Sequence, residues 1–282
     1  MKIILAFIFS FVALALILIA TNCVSTNPVE AVVDSPKSEN STMNIKPKTN
    51  DKRTPVIVEL FTSEGCSSCP PADGNLSMLV REQPIAGAEI IALSEHVDYW
   101  NRLGWTDPFS AAQFSSRQSQ YSQHFKHDDV YTPQMVVGGT REFVGGDMRE
   151  ALKQIAAAAA EATGDVNLEI EKDAGETLSV KVKTANLPKI PNNETAIVLL
   201  AVTEDNLTSN VARGENGGRQ LTHSAVARSL QTIGNAINDF QTLTANIAIS
   251  KDWKRDNLNL VAFVQETGSR KILGAARIEL KK

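Results

Sequence analysis

The alternation of apolar and polar residues changes character three times along the chain. Residues 3–20 are apolar except for one serine, whereas 24–54 are rich in polar residues and show little apolar periodicity. From residue 55 short apolar runs alternate with stretches of helical periodicity, and after residue 164 the period becomes two. The pattern predicts an N-terminal segment at 1–23, a disordered linker at 24–54, and domains at 55–163 and 164–282.

Strands and helices alternate in the first predicted domain. Short apolar runs bounded by turn residues are typical of buried strands, and longer stretches with one apolar face indicate helices. Gly138-Gly139 between two apolar runs predicts a two-residue hairpin. The predicted strands are 56–61, 89–93, 134–137 and 141–144, and the predicted helices are 70–83, 109–125 and 148–163. The order β-α-β-α-β-β-α is typical of a thioredoxin-type α/β domain.

The second predicted domain contains strands and turns. Val166, Leu168 and Ile170 alternate with polar residues, and later runs repeat this period. About seven such strands, with turn residues between them, are typical of an all-β sandwich. The expected fold class is therefore an α/β thioredoxin-like domain followed by an all-β sandwich-type domain.

The N-terminal segment predicts export. Lys2 precedes a long apolar stretch, as in a secretory signal, and this stretch approaches the length of a membrane-spanning helix. Three outcomes are open: cleavage near residues 20–23, retention as a membrane anchor, or lipidation of Cys23. Cys23 resembles the modified residue of a bacterial lipoprotein, although Asn22 departs from the small residue that such a processing site prefers. We expect a periplasmic or outer-envelope location, with membrane attachment through the N-terminus in two of these outcomes.

Composition and charge exclude several classes of protein. The 282 residues include 28 Lys and Arg against 32 Asp and Glu, which gives a formal net charge of −4. The chain lacks the strongly basic field that holds a phosphate backbone, so nucleic acid is not an expected partner. Three cysteines are too few for a disulfide-stapled miniprotein or a four-cysteine zinc site. With Cys23 in the N-terminal segment, Cys66 and Cys69 remain as a pair.

The Cys66-Ser-Ser-Cys69 motif follows a predicted strand and opens a predicted helix. The N-terminus of a helix favours a thiolate, so Cys66 is the expected nucleophile. Cys69 lies about one turn further along, where it can form a disulfide with Cys66 and resolve a mixed disulfide. A purely structural disulfide is the alternative, but so short a loop constrains the unfolded chain little.

Thr132-Pro133 precedes the predicted hairpin strand. Thioredoxin-type folds place a cis-proline at this point, beside the two cysteines. We therefore predict a cis peptide bond before Pro133, with Thr132 and Tyr131 close to the substrate; an ordinary strand-initiating proline is the alternative.

A long polar loop follows the second predicted strand, at the sheet end where ligands gather in parallel sheets. His96 can tune the Cys66 thiolate or shuttle a proton, and Asp98 can orient His96. Trp100, Trp105 and Tyr131 can line a substrate groove. The alternatives are that the aromatic residues pack the loop onto the domain and that His96 bonds to backbone.

Two further sequence features suggest ligand binding by composition but are better explained without a ligand. His124 and His127 suit a metal-binding helix face by spacing, but neighbouring acidic residues favour exposed histidines. The glycine-rich segment 213–219 lacks the strand-to-helix context of a phosphate loop. We expect this segment to dock against the first domain, with His223 in the contact.

Three long motifs, at 59–73, 96–108 and 130–134, resemble those of a secreted, thioredoxin-like bacterial family known as a domain of unknown function (number 1223). Arg117-Gln118 and the segment 214–216 fit the same family. The resemblance extends from about Pro55 to the C-terminus and implies the fold and an exported location. It implies no substrate, because the family is itself uncharacterised.

The chain departs from the family pattern at two positions. Glu64 stands where glutamine is expected, and Asn101 stands where aspartate is expected. The residue before Cys66 is glycine rather than the tryptophan of thioredoxin, which argues against assuming thioredoxin's own activity.

The first functional hypothesis is a thiol–disulfide oxidoreductase that needs no cofactor and acts on a protein or a small thiol or disulfide. An alternative is a protein that binds copper or another soft metal through Cys66, Cys69 and His96, since thiolates with an imidazole suit Cu(I). A third hypothesis is a non-catalytic envelope binding module whose disulfide shapes a surface.

Overall fold

The structure is a computed structural model that describes residues 53–237 and 240–280. The predicted N-terminal segment with Cys23, and all but the last two residues of the predicted linker, lie outside the described residues. Within the described ranges, no helix is long and apolar enough to cross a membrane.

The predicted elements of the first half are present and in the predicted order. They are β1 (Thr54–Thr62), α1 (Pro70–Glu82), β2 (Ala88–His96), α2 (Ala112–Phe125), β3 (Gln134–Val137), β4 (Arg141–Val144) and α3 (Met148–Ala159). The Asp147 side chain accepts a hydrogen bond from the Glu150 N–H at 3.0 Å and so caps α3. Helix α3 ends four residues earlier than the alanine-rich run predicts.

The second half adds nine strands. They are β5 (Asp165–Asp173), β6 (Thr177–Ala185), β7 (Ala196–Glu204), β8 (Leu207–Asn210), β9 (Gln220–His223), β10 (Val226–Ala236), β11 (Gln241–Ala248), β12 (Leu258–Glu266) and β13 (Ile272–Glu279). Short 3₁₀ turns cover Asn101–Leu103 and Arg255–Asn257.

One mixed sheet of eight strands joins the two halves, in the order β13-β12-β7-β10-β2-β1-β3-β4. Strands β1 and β2 are parallel, and β3 is antiparallel to β1. The link between the halves is short: Val226 of β10 pairs with Ser94 of β2, and the Ser94 N–H donates to the Ala225 carbonyl at 2.8 Å. Strands β11-β6-β5 and β8-β9 form two smaller sheets.

The predicted fold class is therefore wrong. A thioredoxin-like domain followed by a separate sandwich requires two separate sheets, whereas this protein is mostly β with a sheet that runs through both halves. The physical reason lies in the central core, where Ile57 and Leu93 of the first half pack with Val261 and Phe263 of the second. These side chains are buried to 0% exposure, and separating the halves would return them to water.

Two larger cores lie on either side of this central one, and a smaller fourth core contains Phe61 and Tyr121. The opposite face of β1 and β2 packs against α1 and α3, through residues such as Leu60, Leu76 and Ile155. The opposite face of β7 and β12 packs against the three-stranded sheet, through residues such as Leu200 and Val180. Strands β1, β2, β7 and β12 therefore carry apolar residues on both faces, as their continuous apolar runs require.

A buried ionic cluster also crosses between the halves, and the sequence patterns did not predict it. The Arg117 Nε–H of α2 donates to Glu59 Oε1 of β1 at 2.5 Å, and an Arg117 Nη–H donates to Gln265 Oε1 of β12 at 3.0 Å. Tyr121 Oη donates to Glu59 Oε2 at 2.5 Å. Burial, followed by the charge of Glu59, raises the pKa of Glu95 well above its usual range. This shift favours the neutral form of Glu95, which lies 3.4 Å from Arg117 Nε.

Candidate functional site

Cys66 and Cys69 form a disulfide in the turn between β1 and α1, as the motif predicts. The Cα atoms are 5.4 Å apart, and Cys69 is the N-cap residue of α1. The Cys66 N–H donates to the Ser63 carbonyl at 3.1 Å, and the Cys69 N–H donates to the Cys66 carbonyl at 3.2 Å. Pro70 and Pro71 begin the helix, where missing N–H donors cost little. Both cysteines are 0% exposed, whereas Ser67 and Ser68 between them are exposed.

The segment around Pro133 lies beside Cys66. The Thr132-Pro133 peptide bond is cis, which confirms the prediction, and Pro133 is buried. The Cys66 Sγ atom lies 3.9 Å from the Thr132 carbonyl oxygen and 3.3 Å from Ser68 Oγ. Thr132 therefore reaches the disulfide through its backbone, and its side chain contacts Trp100 instead.

Of the three aromatic residues predicted to line a groove, Trp100 contacts Thr132 and Tyr131 directly precedes it. Trp100 Nε1–H donates to Thr132 Oγ1 at 2.8 Å, and a Cβ atom at Gly65 would lie 3.0 Å from the Trp100 Cβ. Trp100 thus packs closely against the glycine that precedes Cys66. Tyr131 is half-buried and its hydroxyl donates to Glu142, which also pairs with His127 at 2.8 Å.

The predicted partner of His96 is not the residue that orients it. Asp98 accepts a hydrogen bond from Ser115 Oγ at 2.6 Å, whereas His96 Nδ1 lies 2.7 Å from Asp107 Oδ2. Burial alone lowers the pKa of His96, but the Asp107 carboxylate raises it above its usual value. Burial alone raises the pKa of Asp107, but His96 and two backbone N–H donors bring it below its usual value. This pair is therefore an ion pair, and the proposed role of Asp98 toward His96 is wrong.

Five buried ionisable residues form what we call the acid–histidine cluster. Its members are Glu64, Asp73, His96, Asp107 and His223. His223 Nε2 lies 3.1 Å from Glu64 Oε1, and His223 Nδ1 lies 3.9 Å from Asp73 Oδ2. The two imidazole rings are 4.8 Å apart at their centroids and nearly perpendicular. Within the residues that the structure describes, His96 Nε2 and His223 Nδ1 have no hydrogen-bond partner.

Glu64 connects this cluster to the disulfide turn. Its Oε2 accepts hydrogen bonds from Trp105 Nε1–H at 2.8 Å and Ser209 Oγ at 3.1 Å, and its N–H donates to Asp107 Oδ2 at 2.8 Å. Trp105, predicted to line a groove, therefore holds a buried carboxylate. Three hydrogen-bond partners, counting His223, surround the Glu64 carboxyl group, which accounts for a polar side chain in a buried position.

The segment between β8 and β9 contacts the cysteine turn through residues 215 and 216. Both Asn216 Nδ2 hydrogens are used, since Nδ2 lies 2.9 Å from the carbonyl oxygens of Glu64 and of Cys66. The Ser67 N–H donates to Glu215 Oε2 at 3.0 Å, and Arg219 donates to Asn216 Oδ1 at 2.8 Å. The prediction that this segment docks against the first domain, with His223 in the contact, is confirmed, and the structure adds that the contact lies at the cysteine turn.

The structure gives no support to the soft-metal alternative. In the described part of the chain, no group of three or more His, Cys, Asp and Glu side chains is placed to hold a metal ion. Both sulfur atoms are engaged in the disulfide, and His96 is paired with Asp107. His124, which has the spacing from His127 of a metal-binding pair, contacts the ring of Phe125 instead, with 5.0 Å between the ring centroids.

Comparisons with known proteins identify the family. The model of a family of proteins of unknown function (DUF1223) matches residues 57–265, and the chain belongs to this family. No curated protein matches the chain. A solved structure of a protein from Agrobacterium tumefaciens is similar, with 26% identity and a TM-score of 0.63, over 82% of this chain and 96% of that one. HBP35 of Porphyromonas gingivalis shares the fold, with 13% identity and a TM-score of 0.56, over 81% and 76% of the two chains.

Proposed function

We propose that this protein is a thiol–disulfide oxidoreductase that uses Cys66 and Cys69. The observation that carries the proposal is the disulfide at the N-terminus of α1, beside the backbone carbonyl of Thr132. A helix N-terminus stabilises a thiolate, so the reduced form of such a pair gains reactivity. The reduced pair is flanked by a buried set of titratable groups, which suits a reaction that takes up protons.

A structural role explains the pair less well. A disulfide that closes so short a loop contributes about 2 kcal/mol, less than half of the value for a loop of about 100 residues. Four apolar cores already hold the described chain together. A stabilising link would gain most by joining distant segments, and this one joins residues three positions apart.

The proposed reaction exchanges one disulfide for another. A thiolate of a dithiol substrate attacks Cys66 Sγ, the Cys66–Cys69 bond breaks, and Cys69 leaves as a thiolate that takes up a proton. The second substrate thiolate then attacks the substrate sulfur of the mixed disulfide and releases Cys66. The substrate loses two electrons and becomes a disulfide, and the protein gains these two electrons and becomes a dithiol.

Access to Cys66 requires local movement, because neither sulfur is exposed. The exposed residues Ser67 and Ser68 form the outer surface of the turn. Hydrogen bonds from Ser67 to the exposed Glu215 and the contact between Ser68 Oγ and Cys66 Sγ restrain them. We propose that this short turn lifts when substrate docks against Trp100 and Thr132.

We also propose an envelope location for this activity. The apolar N-terminal stretch after Lys2 is of the kind that directs export, and disulfides persist in exported proteins. Attachment through the N-terminus would keep the site near the membrane surface.

The test equilibrates the full chain, in a mild non-ionic detergent, with dithiothreitol redox buffers and counts free thiols by alkylation. We expect a midpoint potential above about −300 mV, because structural disulfides lie below this value. A Cys69→Ala variant should trap mixed disulfides with envelope proteins, and a Cys66→Ala variant should trap none. A pair that stays oxidised below about −300 mV, with no trapped partner, refutes the proposal and leaves the non-catalytic module.

A further inference from the structure

In the described part of the chain, two imidazole nitrogens of the acid–histidine cluster have no hydrogen-bond partner, and both are buried. Leaving a buried polar atom unpaired costs free energy, so such atoms call for an explanation. His223 Nδ1 and His96 Nε2 are these atoms, on side chains that are 1% and 0% exposed. The other nitrogen of each ring faces a carboxylate.

His223 lies between two carboxyl groups of the first half. Its Nε2 is 3.1 Å from Glu64 Oε1, and its Nδ1 is 3.9 Å from Asp73 Oδ2. The ring comes from β9 and reaches the residues at the start of α1 across the chain. An imidazole can accept a proton at one nitrogen and release one at the other, so this placement connects the two carboxyl groups.

Asp73 is the member of the cluster nearest to Cys69 along the helix. Its N–H donates to the Cys69 carbonyl at 3.1 Å, and its position four residues after Cys69 places both side chains on one face of the first turn. Thr62 Oγ1 donates to Asp73 Oδ1 at 2.8 Å, which leaves Oδ2 directed toward His223. Asp73 and Cys69 are both buried, so bulk water has little access to the Cys69 sulfur.

The groups around His223 come from every element packed against it. Glu64 belongs to the β1–α1 turn, Asp73 to α1 and His96 to β2, and Asp107 lies behind His96 in the loop before α2. The Phe109 ring contacts both imidazoles, at 5.6 Å from His223 and 5.5 Å from His96, and Arg228 of β10 covers that ring at 5.4 Å.

We propose that Asp73 is the proton donor to the Cys69 sulfur when the disulfide is reduced, and that His223 returns a proton from the Glu64 side to Asp73. This assignment rests on the proposed thiol–disulfide chemistry and names the groups that supply its proton.

The step balances as follows. A dithiol reductant attacks Cys66 Sγ, the S–S bond breaks, and the electron pair leaves on Cys69 Sγ. The Asp73 carboxylic acid gives its proton to this sulfur and becomes a carboxylate. The neutral His223 ring, with its proton on Nδ1, then gives that proton to Asp73 while Nε2 takes up a proton from the Glu64 side, so the ring stays neutral.

Asp73 is suited to hold a proton before the step. Burial raises the pKa of Asp73 above its usual value, although His223 and His96 act in the opposite direction. Reduction of the protein should therefore show general acid catalysis, which slows as pH rises through the Asp73 pKa.

The test measures the rate of Cys66–Cys69 reduction by dithiothreitol in the full chain, between pH 5 and pH 9, in H₂O and D₂O. The rate is divided by the dithiothreitol thiolate concentration, so that any remaining pH dependence belongs to the protein. We expect the normalised rate of the unmodified protein to fall with rising pH and to show a solvent isotope effect. In Asp73→Asn and His223→Gln we expect a fall of at least about tenfold at pH 6, a flat profile and no isotope effect. His127→Gln, which changes an exposed histidine, should behave as the unmodified protein.

The reduction rate of the unmodified protein tests the proton relay even where a variant does not fold. A normalised rate that is flat with pH and free of an isotope effect in the unmodified protein overturns the proton relay. Retention of the full profile by a folded Asp73→Asn or His223→Gln does the same. In both cases a trapped mixed disulfide in Cys69→Ala would leave the oxidoreductase proposal intact, so the two proposals fail separately.

Discussion

Asn216 offers the sharpest test of how the second half supports the cysteine turn. Its side chain is completely buried and holds the carbonyl oxygens of Glu64 and Cys66, each at 2.9 Å. In Asn216→Ala the Cys66 carbonyl keeps its hydrogen bond from the Cys69 N–H at 3.2 Å. The Glu64 carbonyl has no second donor among the described residues, so it is left buried and unpaired.

The magnitude follows from these partners. One unpaired buried carbonyl costs about 1–3 kcal/mol, and the lost bond to Cys66 adds about 1 kcal/mol. We therefore expect the free energy of unfolding to fall by about 2–4 kcal/mol in Asn216→Ala. The turn should also open more often, so Cys66 should be reduced faster by dithiothreitol.

The assay is urea unfolding of the full chain with its disulfide intact, followed by circular dichroism. Asn210→Ala is the matched control, because Asn210 lies on β8 just before the same segment and is exposed. Its 3.3 Å contact with Gln220 is also exposed, so the control should change stability by less than about 0.5 kcal/mol. Equal effects of the two substitutions would refute the reasoning about Asn216.

Two further predictions concern the buried charges. Glu59→Gln should lower the free energy of unfolding by about 3–5 kcal/mol because it removes the carboxylate that contacts Arg117 at 2.5 Å. Glu95→Gln should change it by less than about 1 kcal/mol, because the raised pKa of Glu95 favours its neutral form. Urea unfolding of both at pH 7 checks this, and equal losses would contradict it. Asp107→Asn should destabilise the protein most between pH 3.8 and 6.5, the usual pKa values of Asp and His. The Asp107 contribution is lost as pH falls below 3.8 because its folded pKa is lowered, and the His96 contribution is lost as pH rises above 6.5 through its raised folded pKa. Unfolding at pH 5 and pH 9 measures the difference, and an effect independent of pH would count against the ion pair.

Local patterns predicted much of the first half of the chain. The apolar runs and turn residues placed β1, β3, β4 and the start of α3 within a few residues of the observed bounds. The cysteine pair and the cis bond before Pro133 also followed from their place in the element order. These features depend on neighbours in sequence, which is why a single sequence is sufficient for them.

The joining of the two halves depends on distant neighbours, and the local patterns did not reveal it. Which strand lies beside β2 is decided by pairing between Ser94 and Val226, more than 100 positions apart, and periodicity carries no such information. Glu59 could have indicated the buried ionic cluster from the sequence alone, because an acidic residue inside a buried apolar strand requires a buried partner. Asp107 rather than Asp98 contacts His96 because the loop makes a 3₁₀ turn at Asn101–Leu103, which spacing alone does not indicate.

The position of Asn216 has a consequence for how the protein is made. Asn216 follows Cys66 by 150 residues, and ribosomes add about 5–20 residues each second. The two thiols are therefore synthesised roughly 8 to 30 seconds before the residue that fixes their turn. During that interval they are open to any oxidant that the nascent chain meets. In each newly made molecule, the pair can be joined before the cover from the second half is in place.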